Sequence, residues 1–209
     1  MALLNIKGMR IEFPSRRGTV EAVKGIDLTA NGGEIVGVVG ESGAGKSTIG
    51  NAVIGLLEAP GRMTGGEVEL HGERIDQLPF QAMQKIRGRK IGMIFQEPMT
   101  SLNPLFTVGQ QLVETVRTHL DMSEDQARKR AVAMLEEVGI DDAENRVDQY
   151  PHQFSGGMRQ RVVIALALCA EPEMVIADEP TTALDVSIQA QILDLIRKLC
   201  KERNVGVII

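Results

Sequence analysis

Residues 35–48 read I-V-G-V-V-G-E-S-G-A-G-K-S-T. The stretch begins with a short apolar run, Ile35 to Val39, which predicts a strand buried on both faces of a mainly parallel sheet. It continues as Gly40-Glu41-Ser42-Gly43-Ala44-Gly45-Lys46-Ser47-Thr48, which satisfies G-x-x-x-x-G-K-[ST]. Beyond Lys46, apolar residues fall at Ile49, Ala52, Val53, Leu56 and Leu57, a helical stripe. Strand, glycine loop and helix in that order make an anion cradle. The glycines let the backbone wrap so that several N–H groups point inward, and the helix start adds partial positive charge. In such a cradle Gly40, Ser42, Gly43, Ala44, Gly45 and Thr48 line a nucleotide's phosphates. Lys46 reaches the β- and γ-phosphates, and the Ser47 hydroxyl sits on Mg²⁺. A chance glycine-rich turn would lack the strand before it and the helix after it.

Outward from this loop, strands and helices alternate. Leu3 to Glu12 and Val20 to Leu28 predict antiparallel strands joined by the polar turn Ser15-Arg16-Arg17-Gly18. Glu67 to Leu70, Lys90 to Phe95, Met174 to Ala177 and Val205 to Ile209 read as further strands. Ser123-Glu124-Asp125-Gln126 is a capping box opening a helix that runs to about Val138. The expected fold is α/β: a P-loop core on a mainly parallel sheet, an antiparallel β-subdomain at the N-terminus, and a helical insertion. No internal repeat or low-complexity linker interrupts it.

Met174-Val175-Ile176-Ala177-Asp178-Glu179 is an apolar strand ending in two acids. Asp178 would stand at the carboxyl edge of the sheet, where Mg²⁺ must be held beside the P-loop. Glu179 points elsewhere and can accept a proton from an attacking water. As plain structure, adjacent acids there are awkward, because each is desolvated without a partner. Ser155-Gly156-Gly157 precedes another helical stretch, Met158 to Ala170. It reads as an ordinary N-cap with two tolerated glycines, or as a second anion-binding mouth. One nucleotide has little use for two mouths on one chain; two chains arranged head to tail would use both.

Composition narrows the partners. A net charge of -5 without a Lys/Arg block, and 3 % aromatic residues without Trp, argue against nucleic acid. Met1-Ala2-Leu3-Leu4 meets Asn5 and Lys7 at once, so no secretory leader is expected. No apolar run reaches the ~18 residues that cross a bilayer. Cys169 and Cys200 lack metal-type spacing and are expected to be reduced core thiols of a cytosolic protein.

These motifs, in this order, resemble the nucleotide-binding subunits of ATP-binding cassette (ABC) transporters. Walker A lies at Gly40 to Thr48, a Q-loop glutamine at Gln96, the signature at Ser155 to Gln160, Walker B at Asp178-Glu179, and a D-loop at Ala183-Leu184-Asp185. The wording is closest to the importer ATPases for dipeptides, oligopeptides and nickel. It shares Phe95-Gln96-Glu97-Pro98-Met99-Thr100-Ser101-Leu102-Asn103-Pro104, Tyr150-Pro151-His152-Gln153 and Asp178-Glu179-Pro180-Thr181-Thr182-Ala183-Leu184-Asp185 with them. The resemblance covers essentially the whole chain. It implies one ABC ATPase domain over 1–209, with core and β-subdomain at 1–96 and 171–209 and a helical subdomain at about 97–170.

The resemblance also implies roles. Gln96 would contact Mg²⁺ or the attacking water and pass the nucleotide state to the helices behind it. Ser155, Gly156, Gly157, Met158 and Gln160 would cap ATP bound by the opposite subunit. Glu179 would be the general base and Asp185 would lie on the dimer seam. Phe13 would pack on adenine, or serve simply as a strand phenylalanine. His152 is expected to be a surface or cap residue. The implied partners are a second cassette, identical or not, and a membrane permease, with an extracytoplasmic solute-binding protein acting indirectly. The implied place is the cytoplasmic face of the cell membrane, as a peripheral subunit. The segment from Glu97 to about Asp121 would meet the permease, with Met99, Leu102, Leu105 and Phe106 as candidates.

Two departures stand out. Met158 replaces the glutamine usual in the signature, a change common among peptide importers. The sequence ends at Val207-Ile208-Ile209, where the family continues into a switch histidine, and none of His71, His119 and His152 replaces it. An incomplete C-terminus, with turnover of these residues alone in doubt, is therefore expected. Two other functions fit less of the sequence. A soluble ABC ATPase of repair or translation would carry a coiled-coil insertion or a second cassette. A cassette that holds ATP without turnover would differ only in phosphate release.

Overall fold

The computed structural model describes residues 2–16, 18–41, 43–182 and 184–209, without the side chains of Pro98 and Met99. Strands β1 (Leu4–Ser15) and β2 (Gly18–Ala30) form an antiparallel ribbon, registered from Leu4↔Ala30 to Ser15↔Gly18. β4 (Arg62–Leu70) lines the other edge of β1, and β5 (Glu73–Arg74) completes a sheet of order β2-β1-β4-β5. Along β1 the buried side chains Leu4, Ile6, Met9 and Ile11 all leave water completely.

The second sheet is parallel throughout, in the order β3 (Ile35–Val36), β8 (Gly206–Ile208), β7 (Met174–Ala177), β6 (Ile91–Ile94). Its strands read as short apolar runs because both faces are covered. Met174, Ile176, Ile91 and Ile208 turn toward a core shared with β1, β4 and helix α1 (Lys46–Val53). Val175, Ala177, Ile94 and Val207 turn the other way, into a core built with helices. The period-two alternation of a strand thus divides the molecule into two cores around one sheet.

After α1, and ahead of β6, comes α2 (Phe80–Ile86), which the sequence reading missed; Pro79 stands at its N-cap. Between β6 and β7 lie α3 (Pro98–Ser101), α4 (Val108–His119), α5 (Glu124–Glu137), α6 (Ala143–Arg146) and α7 (Gly156–Leu168), with a 3₁₀ turn at Pro151–Gln153. α8 (Val186–Arg203) joins β7 to β8. The capping box at Ser123 is present with both reciprocal bonds. A second one opens α4: Thr107 Oγ1 accepts from the Gln110 N–H, and the Gln110 side chain accepts from the Thr107 N–H. Each box satisfies two amides that a helix start otherwise leaves unpaired.

One expectation is corrected. Ile35 to Val39 is not a strand buried on both faces: only Ile35 and Val36 pair as strand, and Val39 is 96 % exposed. β3 lies at the edge of the sheet among the described residues, and Val36 and Val38 still pack on the core while Val39, past the paired residues, does not. The ladder with β8 continues a little further, since the Val38 N–H donates to the Ile209 carbonyl at 2.7 Å.

Glu173 ties the two sheets together. Its carboxylate takes both His71, at the β4–β5 turn, and Lys90, just before β6. Cys169 and Cys200 are buried free thiols, and burial pushes Cys169 up to about 12, which removes the reactive thiolate. No helix among the described residues is long and apolar enough to cross a membrane.

Candidate functional site

The glycine loop connects β3 to α1. Gly43 (φ 82°) and Gly45 (φ 90°) occupy left-handed backbone that other residues rarely adopt. At Gly45 a side chain is excluded twice, because a Cβ would also lie 2.7 Å from the Ala22 carbonyl oxygen on β2. The Ala44 N–H donates to the Glu41 carbonyl (3.1 Å), closing the turn, and Gly45 caps α1. Ser42 lies outside the described residues.

Lys46 folds back over this loop. Its Nζ donates to the carbonyls of Gly40 (3.0 Å) and Glu41 (3.2 Å) and stands 3.5 Å from Glu179 Oε1. The Ser47 hydroxyl donates to Asp178 Oδ1 at 2.9 Å, joining residues 131 positions apart. Strand register brings the remaining groups in. β6 and β7 pair up to Ile94↔Ala177, and the Asp178 N–H then donates to the Ile94 carbonyl. Continuing that register by two residues sets Gln96 beside Glu179, and Gln96 Nε2 donates to Glu179 Oε2 at 3.1 Å. Glu179 has φ 45°, a strained value for a residue with a side chain. Such strain persists where surrounding bonds over-determine it, and it clusters at functional sites.

Beside these polar groups lies a cavity of about 360 Å³, lined by Val38, Ile49, Ile176 and Ile208 together with Lys46 and Asp178. The donors suit Mg²⁺. Hydroxyl and carboxylate oxygens are hard ligands, and this ion takes one or two of them together with phosphate oxygens and water. Among the described residues no group of three or more His, Cys, Asp or Glu forms a protein cage for a metal.

The other predicted residues stand apart from this cluster. Ser155 caps α7, its Oγ accepting from the Met158 N–H at 3.3 Å, so the N-cap reading holds. A Cβ on Gly157 would meet Ile188 Cγ2 at 3.0 Å, whereas Gly156 is open, with Leu184 nearest at 3.9 Å. Met158 packs on the helical core, and Gln160 is buried with its Nε2 unpartnered. None of these lines the cavity beside Lys46. Asp185 is exposed at the start of α8, with no side-chain cap bond; Ala183 lies outside the described residues. Phe13, partly buried on β1 opposite Val20, presses its ring on Gly61 while remaining on the ribbon whose Ala22 touches Gly45. His152 is exposed and stacks on Tyr150. Leu105 and Phe106 are exposed at 78 % and 47 %, but Leu102 is buried at 2 % and is withdrawn as a contact candidate. The side chain of Met99 is outside the description.

Sequence reading missed Thr182, whose hydroxyl donates to Glu179 Oε2 at 3.0 Å. It also missed Gln189, whose amide holds the carbonyls of Thr181 and Leu184. The Glu-Pro-Thr-Thr turn was the available signal, since proline presets the second position of a turn.

A glycine loop closing on its own lysine, at the carboxyl end of a parallel sheet that ends in an acid pair, defines a P-loop nucleotide-binding fold. The particular family follows from the comparisons: residues 23–182 match the pattern of the ABC transporter family, and the chain belongs to it. It is 50 % identical over 207 residues to the oligopeptide transport ATP-binding protein OppD of Bacillus subtilis (strain 168), covering 99 % of this chain and 58 % of that protein. It is 44 % identical over 209 residues to the dipeptide transport ATP-binding protein DppD of Escherichia coli (strain K12), covering 100 % and 64 %. The chain therefore spans about three fifths of the length of these curated relatives. Among solved structures it resembles the ATP-binding cassette MJ0796 in a dimeric post-hydrolysis state bound to ADP and Pi. The TM-score is 0.86 at 32 % identity, over 98 % of this chain and 86 % of that one.

Proposed function

We propose that this chain is the nucleotide-binding part of an ABC importer ATPase for di- or oligopeptides. It binds ATP with Mg²⁺ and hydrolyses it between two cassettes at the cytoplasmic face of the membrane. The observation that carries this reading is the convergence of Lys46, Ser47, Gln96, Asp178 and Glu179 at one sheet edge. The relatedness to peptide-transport ATP-binding proteins supports the cargo class.

The residues' roles follow from their chemistry. Backbone amides of residues 40–48 and the start of α1 cradle the phosphates, and Lys46 leaves its carbonyl partners to neutralise them. Ser47 and Asp178 would hold Mg²⁺, with Gln96 at its edge; the ion supplies charge neutralisation of the phosphate oxygens. Gln96 orients the attacking water and Glu179 takes its proton. Phe13 would flank the adenine. Ser155, Gly156 and Gly157 of the partner subunit's copy, with Met158 and Gln160 behind them, cap the γ-phosphate, and Asp185 lies on the seam. Leu105 and Phe106, exposed between α3 and α4, are offered to a permease subunit, and closure of the two cassettes drives it between conformations. A solute-binding protein delivers cargo on the far side.

The test is sedimentation of the full-length protein. With Glu179→Gln to prevent turnover, ATP should produce a dimer. Adding Gly156→Asp should abolish it while ATP binding persists, because a carboxylate then faces the γ-phosphate. Gly156 has open space in the monomer, so the change does not strain the fold. Normal ATP-dependent dimers in the double variant would rule out the sandwich.

A further inference from the structure

We propose that Thr182 is a positioning residue for Glu179: its hydroxyl holds one carboxylate oxygen so that the other is the proton acceptor. The inference rests on Glu179 being the general base, as proposed above. It begins from how unevenly the two oxygens of that carboxylate are engaged. Oε2 receives two neutral donors, Thr182 Oγ1 at 3.0 Å and Gln96 Nε2 at 3.1 Å. Oε1 receives neither and, among the described residues, faces Lys46 Nζ at 3.5 Å.

The two kinds of partner respond differently to a nucleotide. Lys46 reaches Oε1 on a flexible stem and shares its charge with the Gly40 and Glu41 carbonyls. A γ-phosphate, with more charge and better geometry, draws that ammonium away and leaves Oε1 open. Thr182 has no such freedom. Residues 179–182 form a turn in which the Thr182 N–H donates to the Glu179 carbonyl (3.3 Å), and Pro180 fixes its second position. Gln189, on α8, then pins the loop through the Thr181 carbonyl (3.1 Å) and the Leu184 carbonyl (3.0 Å). Backbone and side chain of one residue, Thr182, thus both close on Glu179. That double closure also accounts for a glutamate held at φ 45°.

In the reaction, water gives its proton to Oε1 while its oxygen forms the bond to the γ-phosphorus. The bond from that phosphorus to the bridging oxygen breaks, and the electron pair leaves on ADP. Oε2 must stay fixed meanwhile, since a carboxylate free to rotate loses the alignment that makes a base effective. Gln96, which belongs to the segment leading into the helices, can swing with them; Thr182 is the donor that stays with the parallel sheet.

The test compares Thr182→Val, which keeps the shape and removes the hydroxyl, with Thr182→Ser, which restores it. Steady-state ATP hydrolysis and ATP titration are measured on the full-length protein with its membrane partners, and each variant's thermal unfolding is recorded. The expected result is a kcat about three- to tenfold lower in Thr182→Val, the size of one hydrogen bond, with unchanged KM, ATP affinity and unfolding temperature. Thr182→Ser should recover most of the rate. Wild-type turnover in Thr182→Val while Glu179→Gln is inactive would overturn this inference and leave the base assignment standing. Normal turnover in Glu179→Gln would overturn the base assignment itself. A loss in Thr182→Val that tracks weaker ATP binding or a lower unfolding temperature, or that Ser fails to repair, would also count against positioning.

Discussion

The two helix mouths of this chain differ in how much of their work is done at home. At the mouth of α1 the charged and hydroxyl side chains meet partners from the same chain: Lys46 on the Gly40 and Glu41 carbonyls, Ser47 on Asp178, and Glu179 on Gln96 and Thr182. At the mouth of α7, Ser155 satisfies one amide, and the described neighbours nearest its two glycines are the apolar Leu184 and Ile188. One glycine at each mouth makes the contrast sharpest. Gly45 is required by its own backbone and by the Ala22 carbonyl, whereas Gly156 faces open space. A glycine that the monomer leaves open has room for the partner's nucleotide in the sandwich proposed above.

Substitutions can break that contrast. Lys46→Ala should have the largest effect, weakening ATP binding about 10- to 100-fold in a fluorescence titration, the size of a charge-assisted hydrogen bond of about 1.5–3 kcal/mol. An unchanged titration would count against the P-loop assignment. Next comes the pair Gly45→Ala and Gly156→Ala, measured by urea unfolding. The first should cost about 1–3 kcal/mol through left-handed strain, with the clash at Ala22 added. The second should shift stability by no more than about 0.5 kcal/mol. Equal losses at the two positions would erase the distinction between a finished site and a half-site.

The smallest effect concerns the tie between the sheets. Glu173 is held below the usual carboxylate range: burial pushes it up, but the bonds from Lys90 and His71 outweigh that. A carboxylate depressed in the folded state adds stability above its unfolded value, near 4.5, and loses it as pH falls through the lower folded value. The site is about one-third exposed, so Glu173→Gln should cost only about 1 kcal/mol at pH 7. The difference from wild type should shrink below pH 4.5. A difference that is flat with pH would remove the ionic contribution.

Much of this was legible before any coordinates. The loop at Gly40 to Thr48 and the strand ending at Asp178 carry their chemistry in consecutive residues, so spacing alone identified them. The Ser123 capping box was equally plain; the one at Thr107 obeys the same three-residue rule and was simply passed over. Other features were hidden because they depend on what lies alongside. Val39 belongs to a run whose hydrophobicity predicts burial, but burial needs a covering layer, and among the described residues none lies over Val39. Leu102 looked like a contact residue and proved to be core; the six residues between α3 and α4, Leu102 to Thr107, carry no periodicity that could have shown it. Thr182 and Gln189 came to light only through the turn that brings them to Glu179 and its loop.

The central claim is that each bound triphosphate is gripped by the lysine loop of one copy and the serine–glycine tip of another. The most direct measurement is the structure of full-length Glu179→Gln protein trapped with ATP and Mg²⁺, read as the distance from Ser155 Oγ to the nearest γ-phosphate oxygen held by the partner copy. The account predicts hydrogen-bonding contact, about 3 Å. A closed, nucleotide-loaded assembly with that tip remote from every phosphate would contradict it.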